Sequence, residues 1–343
     1  MKYDGMVQPT RSEKLRAQIT SWCVLFAMSS IAIIGAGLSG ISAARSLQAA
    51  GHRVVVFEKS RSFGGRCAAR FWEGNVVDHG AQYFTAESEQ FNSVLETLPE
   101  GLIGEITAPI LNEAGHVISS DSKRLYFLPG NNRLAKSLAH ELTISMEKEI
   151  SSITQSKDRW TVGGEEFEFV ISSAPWPQTA KLLGMETKAD ETMYERCLTA
   201  FFRIDENPTG RASEIYGIRD SSGHPLAWTA CENHKQQRIT PNFTVLVVQA
   251  SGDFSMEHWD TPADQWTALL KPALAKRWEI PSSKFLGHFA HRWRYSIAQR
   301  NVSPTLPDGV FLTGDSTCAS RVEAAWLCGE ETARELLTRK PQI

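Results

Sequence analysis

The stretch Ile31-Ala-Ile-Ile-Gly-Ala-Gly-Leu-Ser-Gly40, followed by Val54-Val-Val-Phe-Glu58, constrains this chain more than any other part of it. It predicts an apolar strand, a glycine turn that opens a helix, and a second strand ending on a carboxylate. Gly35 permits the tight turn, Gly37 lets backbone approach a pyrophosphate closely, and Gly40 lets the helix pack on the sheet. The helix N-terminus at Leu38 offers unpaired N–H groups to phosphate oxygens, with Ala36 and Ser39 beside it as further cofactor contacts. Glu58 follows at roughly the 20-residue spacing from which an acid reaches ribose hydroxyls, with Lys59 beside it. Strand, helix and acid in register predict a dinucleotide site.

The 343 residues suffice for a large core and two domains. With 42% hydrophobic residues, 22% charged residues and a net charge of −3, the composition is globular and offers no basic surface for nucleic acid or an anionic membrane. Six cysteines form no CxxC pair and no zinc spacing, so reduced thiols in a cytoplasmic protein are expected and no metal site is. No charged residue occurs between Arg16 and Arg45, but the second half of that span is the glycine fingerprint, and Trp22 to Met28 is too short to cross a bilayer. Residues 1–29 are expected to be a disordered extension, with a start at Met28 or a cleaved leader as the other readings.

Beyond the first β-α-β unit, Ser62-Phe-Gly-Gly-Arg66 reads as a loop. Glu87 to Leu98 has helical spacing, Leu125 to Leu128 a strand pattern, and Asn132 to Leu142 a helix with Asn131 as its N-cap. Residues 144–174 read as strands and turns, ending in the apolar run Phe169 to Ser173. Strand candidates Leu198 to Ile204, Glu214 to Ile218, Leu226 to Cys231 and Phe243 to Ala250 are joined by turns, which predicts an antiparallel sheet. Thr261 to Trp278 is a helix with Trp266, Leu269, Leu270, Leu274 and Trp278 on its apolar stripe. Gly309 to Asp315 and a helix from Val322 to Leu337 return to the first unit.

The expected fold is therefore α/β, a Rossmann-type binding domain interrupted by an antiparallel-sheet domain. Residues 30–85, 130–175 and 305–343 form the first, and 86–129 and 176–304 the second, the substrate domain.

The GAGLSG turn, Glu58, the Gly64-Gly65-Arg66 loop and Thr313-Gly-Asp315 together resemble the FAD-binding plan of the flavin amine oxidase and protoporphyrinogen oxidase group. Within it the chain is similar to the bacterial renalases. His79-Gly-Ala-Gln-Tyr-Phe-Thr-Ala86, Pro225-Leu226 with Trp228, Ala230 and Asn233, Ala290-His-Arg-Trp293 with Tyr295, and Arg321-Val-Glu with Ala325-Trp326 carry that likeness, from about Ser30 to Leu337. Ser316-Thr317 and Asn131-Asn132 depart from it.

The resemblance implies an oxidase that returns the 2- and 6-dihydro isomers of NAD(P) to NAD(P)⁺ by hydride transfer to flavin N5, with O₂ reduced to hydrogen peroxide. FAD would be bound without a covalent link, although Cys67 and Cys318 raise that question. Arg66 and Gly65 would hold the pyrophosphate, Asp315 with Gly314 the ribityl or ribose hydroxyls, and the N–H groups of Val322, Glu323 and Ala324 the flavin N1 and C2 carbonyl. Ala81 and Gln82 complete the expected cofactor contacts. Tyr83, Trp228, Asn233, Trp293 and Tyr295 would line the substrate pocket, rings as flat walls and Asn233 on the carboxamide. Alternation sends Arg292 and Arg294 to the strand face opposite Trp293. The partners expected are a dinucleotide and O₂, with neither nucleic acid nor membrane, for a monomer or weak dimer. The alternatives are a small-amine or polyamine oxidase, an FAD-binding module without turnover, and a desaturase. The charged 205–240 stretch argues against the last.

Overall fold

The structure is a computed structural model that describes residues 28–185, 193–221 and 225–339, so the expectations for residues 1–27 lie outside it. Its first layer is a five-stranded parallel sheet in the order Val310–Leu312, Phe169–Ser172, Ser30–Ile34, Arg53–Phe57, Ile144–Ser145. Ile31, Ile33, Val56 and Ile171 are fully buried, as expected for strands covered on both faces. One face is covered by the helices Leu38–Ala49 and Val322–Thr338, which pack closely because Gly329 leaves no side chain against the Ser39 to Ala43 backbone. The other carries the antiparallel sheet Thr154–Ser156, Arg159–Val162, Glu165–Phe167, whose Trp160 and Phe167 complete a core with Val55 and Phe57.

The second layer is a six-stranded sheet in the order His288–Ala298, Tyr194–Ile204, Thr244–Ala250, Leu226–Cys231, Gly217–Arg219, Ile110–Asn112. Its pairs are antiparallel apart from the last, which is parallel. The helix Ala263–Trp278 lies on it through Trp266, Leu270, Leu274 and Trp278, each at most 1% exposed. Leu269 falls off that stripe and is 52% exposed, because a strict four-residue spacing from Trp266 passes it by.

Two local expectations change. The helix Glu89–Glu96 belongs with the parallel-sheet layer, since its Phe91 and Leu95 pack in the core that holds Trp326. Ile110–Asn112, from the same 86–129 segment, joins the six-stranded sheet instead. Asn131 does not cap its helix; it is the first helical residue of Asn131–Leu138, 2% exposed. Its side chain accepts from Phe127 N–H and donates to the Ala81 carbonyl, and those buried backbone groups would otherwise be unpaired.

Among the described residues no helix is long and apolar enough to cross a membrane.

Candidate functional site

The two glycine loops are one structure. Gly64 N–H donates to Ala36 O at 3.0 Å, and a Cβ on Gly65 would lie 3.8 Å from Gly37 Cα. Gly64 has φ +90° and packs so closely on Asn132 Cα that a Cβ would approach to 2.8 Å, so glycine is required by both backbone and space. Gly35, at φ +105°, takes the sharp turn out of the first strand. Gly37 has open space where its side chain would be, which is the room a phosphate group needs. Leu38 and Ser39 are buried at the start of their helix, and a Cβ on Gly314 would sit 3.1 Å from Ser39 Oγ. The turn, the second loop and the late glycine therefore converge, from positions far apart in sequence.

Glu58 closes the cradle from the second strand. Its carboxylate accepts from Ala36 N–H and Ser60 N–H, both at 2.8 Å, which fixes the glycine turn and leaves a second lone pair on each oxygen. Lys59 lies exposed at the rim. Arg66 and Asp315, assigned to different parts of a cofactor, are instead bonded to each other: the guanidinium donates to both carboxylate oxygens, and Ser320 Oγ adds a bond at 2.9 Å. Ala81 has both backbone groups engaged, its N–H by Arg66 O and its carbonyl by Asn131, so it serves to fix the loop.

Among the described residues the last helix begins without a side-chain cap, which leaves the N–H groups of Val322, Glu323 and Ala324 open to an acceptor. The Glu323 side chain is a different matter. It accepts from Glu87 N–H, Ser88 N–H and Ser88 Oγ and thereby anchors the start of the helix Glu89–Glu96. Only its backbone remains for a ligand.

The pocket residues separate into groups. Tyr83, Tyr216 and Trp228 form a ring cluster with centroids about 6 Å apart. Trp293 donates its indole N–H to His79 O and stacks on the His79 ring, with His291 against both. Tyr295 packs edge-on to Tyr194, whose hydroxyl meets Ser316. Arg292 turns the other way, onto the Trp259 and Thr261 carbonyls, as the alternation predicts. Asn233 does not join a pocket: its amide bonds Phe243 O and Val245 N–H, tying a turn to the strand Thr244–Ala250. A short amide beside a strand end is well placed to satisfy that strand's open backbone groups, and here it does so.

Three buried polar atoms on or beside the Asp78 to Tyr83 segment have no protein partner: His79 Nδ1, Gln82 Oε1 and Trp228 Nε1. The Gln82 amide nitrogen is engaged by Asp78 O and Gly80 O. Orphaned buried groups are costly, which makes them the natural contacts of a ligand. Burial, and then the neighbouring His291, push His79 down to about 3, so its ring is neutral. Burial lowers His291 as well.

Sequence reasoning missed a buried charge network beside this segment. Lys235 Nζ lies 2.8 Å from Asp78 Oδ2 and 2.6 Å from Glu232 Oε1, and Arg238 lies 2.6 Å from Asp78 Oδ2, with all four side chains fully buried. Burial alone would raise Asp78, but Lys235 and Arg238 overcome it and hold the carboxyl below its ordinary value; burial keeps Glu232 raised. Within the charged, polar 205–240 stretch, Glu232, Lys235 and Arg238 turn into the interior while Gln236 and Gln237 stay exposed. The one trace in the sequence was the opposite charges of Glu232 and Lys235, three residues apart.

A family described as an NAD(P)-binding Rossmann-like domain matches residues 33–98. Polyamine oxidase 2 of Arabidopsis thaliana is 28% identical over 155 residues, which is 43% of this chain and 30% of that enzyme. The chain thus spans less than a third of that relative. A solved putative protoporphyrinogen oxidase from Exiguobacterium sp. 255-15 superposes with a TM-score of 0.69 at 13% identity, over 90% of this chain and 98% of that one. Reduced UDP-galactopyranose mutase gives 0.72 at 10% identity, over 92% and 97%. At these identities the structural likeness is one of fold, and it extends across nearly the whole chain. The chain therefore has the fold of these solved proteins, with a Rossmann-like unit at residues 33–98.

Proposed function

We propose that the protein is an FAD-dependent oxidase of isomeric dihydronicotinamide dinucleotides, the 2- and 6-dihydro forms of NAD(P), with O₂ as acceptor and FAD held without a covalent bond. The observation that carries the flavin reading is the union of the two glycine loops through Gly64 and Ala36, a backbone cradle with open space at Gly37. Glu58 would take the ribose hydroxyls on its remaining lone pairs. The uncapped N–H groups of residues 322–324 would receive an anionic or carbonyl acceptor with the helix dipole behind them. Bound FAD would supply the two-electron acceptor, taking hydride at N5 and delivering electrons to O₂.

The substrate reading rests on what the residues leave undone. A dihydropyridine becomes aromatic on losing hydride, so no protein base is required. The two imidazoles beside the candidate site are both shifted by burial toward the neutral form, and His79 at about 3 is a poor proton acceptor near neutral pH. The residues' task is then to orient a planar ring and exclude water, for which Tyr83, Trp228 and Trp293 offer flat apolar faces, with Tyr216 buried behind them.

The test mixes the oxidised holoprotein anaerobically with 2- or 6-dihydro-NAD, β-NADH, spermidine or a monoamine and follows the flavin band. Rapid bleaching by the dihydro isomers alone supports the proposal. Bleaching by an amine alone replaces it with an amine oxidase, the activity named for the Arabidopsis relative. Denaturation that leaves flavin in the precipitate would overturn the non-covalent link.

A further inference from the structure

Two thiols meet where the Thr313-Gly-Asp315 segment turns into the last helix. Cys328 Sγ receives Gly314 N–H at 3.3 Å and the Thr313 hydroxyl at 3.5 Å, and lies 3.1 Å from Thr317 Oγ1, where either atom can donate. Cys318 Sγ lies 3.1 Å from Gly314 O and 3.5 Å from Ala324 O, and Cys328 Sγ lies 3.6 Å from the same Gly314 O. Both thiols therefore converge on the one Gly314 carbonyl oxygen. Both are partly exposed, whereas Cys67, Cys197 and Cys231 are buried.

We propose that Cys328 and Cys318 form an oxidisable dithiol that reacts with hydroperoxides, Cys328 as the attacking sulfur and Cys318 as the resolving one. Donors converging on one sulfur stabilise its thiolate, and a second thiol within reach captures the oxidised product. The Cys328 thiolate attacks the terminal peroxide oxygen: an S–O bond forms, the O–O bond breaks, and the alkoxide, or hydroxide from hydrogen peroxide, leaves and takes a proton from solvent. Cys318 sulfur then displaces the hydroxyl from Cys328. The S–S bond forms, the S–O bond breaks, and the Cys318 proton leaves in water. Two electrons pass from the thiols to the peroxide.

The surroundings agree with this assignment. The hydrogen bond to Cys318 comes first among the causes that bring Cys328 down to about 5, with Thr313, Thr317 and Gly314 adding to it against burial, and the same bond drives Cys318 far upward. Burial instead pushes Cys67 up to about 12, Cys197 to about 11 and Cys231 to about 12, so these three serve as internal controls. The reaction depends on added peroxide and not on the substrate proposed above.

The test treats the flavin-loaded protein with one equivalent of hydrogen peroxide and reads intact mass and thiol peptides. The expected result is loss of two hydrogens and a cross-linked peptide pair containing Cys318 and Cys328. C318S should carry a dimedone-reactive sulfenic acid on Cys328, and C328S should remain unoxidised. Iodoacetamide labelling of Cys328 in C318S should titrate below the ordinary thiol range. An unchanged wild-type mass, oxidation confined to the buried cysteines, or labelling that titrates at the ordinary thiol value would each overturn the proposal.

Discussion

Arg66 and Asp315 join the second glycine loop to the last strand's end through a two-pronged ion pair, with Asp315 Oδ1 2.6 Å from one guanidinium nitrogen. Asp315 is 4% exposed, so replacing Arg66 by Met leaves a buried carboxylate with Ser320 as its recorded side-chain donor. Because Arg66 is itself about one-third exposed, the expected loss is about 2 kcal/mol, below that of a fully buried pair. Urea unfolding should show it, and flavin content after desalting should fall in parallel. A variant as stable as the wild type would mean that the pair contributes nothing net.

The glycines of the fingerprint should separate folding from binding. Gly37 is a helix N-cap with ordinary φ and open space ahead of it, so Gly37→Ser supplies a favoured cap and should leave the melting temperature unchanged or higher. Its side chain would occupy the room proposed for the pyrophosphate, and FAD affinity should fall about tenfold or more, the equivalent of 1.4 kcal/mol. Gly40→Ala would instead drive its Cβ into the Gly35 carbonyl and should cost about 2 kcal/mol of stability. Fluorescence titration with FAD and thermal melts distinguish the two. Equal flavin affinity in Gly37→Ser would remove Gly37 from the cofactor site.

What was legible in the sequence was what local chemistry dictates. The glycine turn, the acid after the second strand and the apolar runs at residues 169–173 and 309–315 each announce an element by composition, and all fall in the parallel sheet or at its edge. The side-chain roles of Asn233 and Glu323 do not show in the sequence because their partners lie in other segments: Val245 and Phe243 for one, Ser88 for the other. A polar side chain near a motif looks like a ligand until the backbone groups it satisfies are known. Lys235 and Arg238 were illegible for the same reason, since the carboxylate they share, Asp78, lies far upstream.

Stability should depend on pH through His79. Its folded-state value, about 3, lies below the ordinary 6.5, so between those two values the unfolded chain binds a proton that the native state refuses. Stability therefore rises with pH across that window, by at most about 1.4 kcal/mol per pH unit for this one group. His79→Phe keeps a ring between Phe289 and Trp293 and removes the titration, so it should flatten the slope between pH 5 and 6.5. Urea midpoints for both proteins at several pH values measure the difference, and identical slopes would show that His79 is protonated in the native state.

The charge network around Asp78 makes a prediction about coupling rather than about one side chain. Lys235→Met leaves Asp78 and Glu232 to share Arg238 in an environment with no exposure, and should cost about 3 to 5 kcal/mol. Adding Glu232→Gln removes the carboxylate that has lost its cation, while a carbonyl oxygen at the same place can still accept Asp78 N–H. The remaining Asp78–Arg238 pair is then balanced, so the double variant should be more stable than Lys235→Met alone. A double-mutant cycle by denaturant unfolding reads this directly: a coupling of about 1 kcal/mol or more between the two sites is expected for groups in one network. Simple additivity would mean that Lys235 and Glu232 contribute independently to the fold, against what their distance implies.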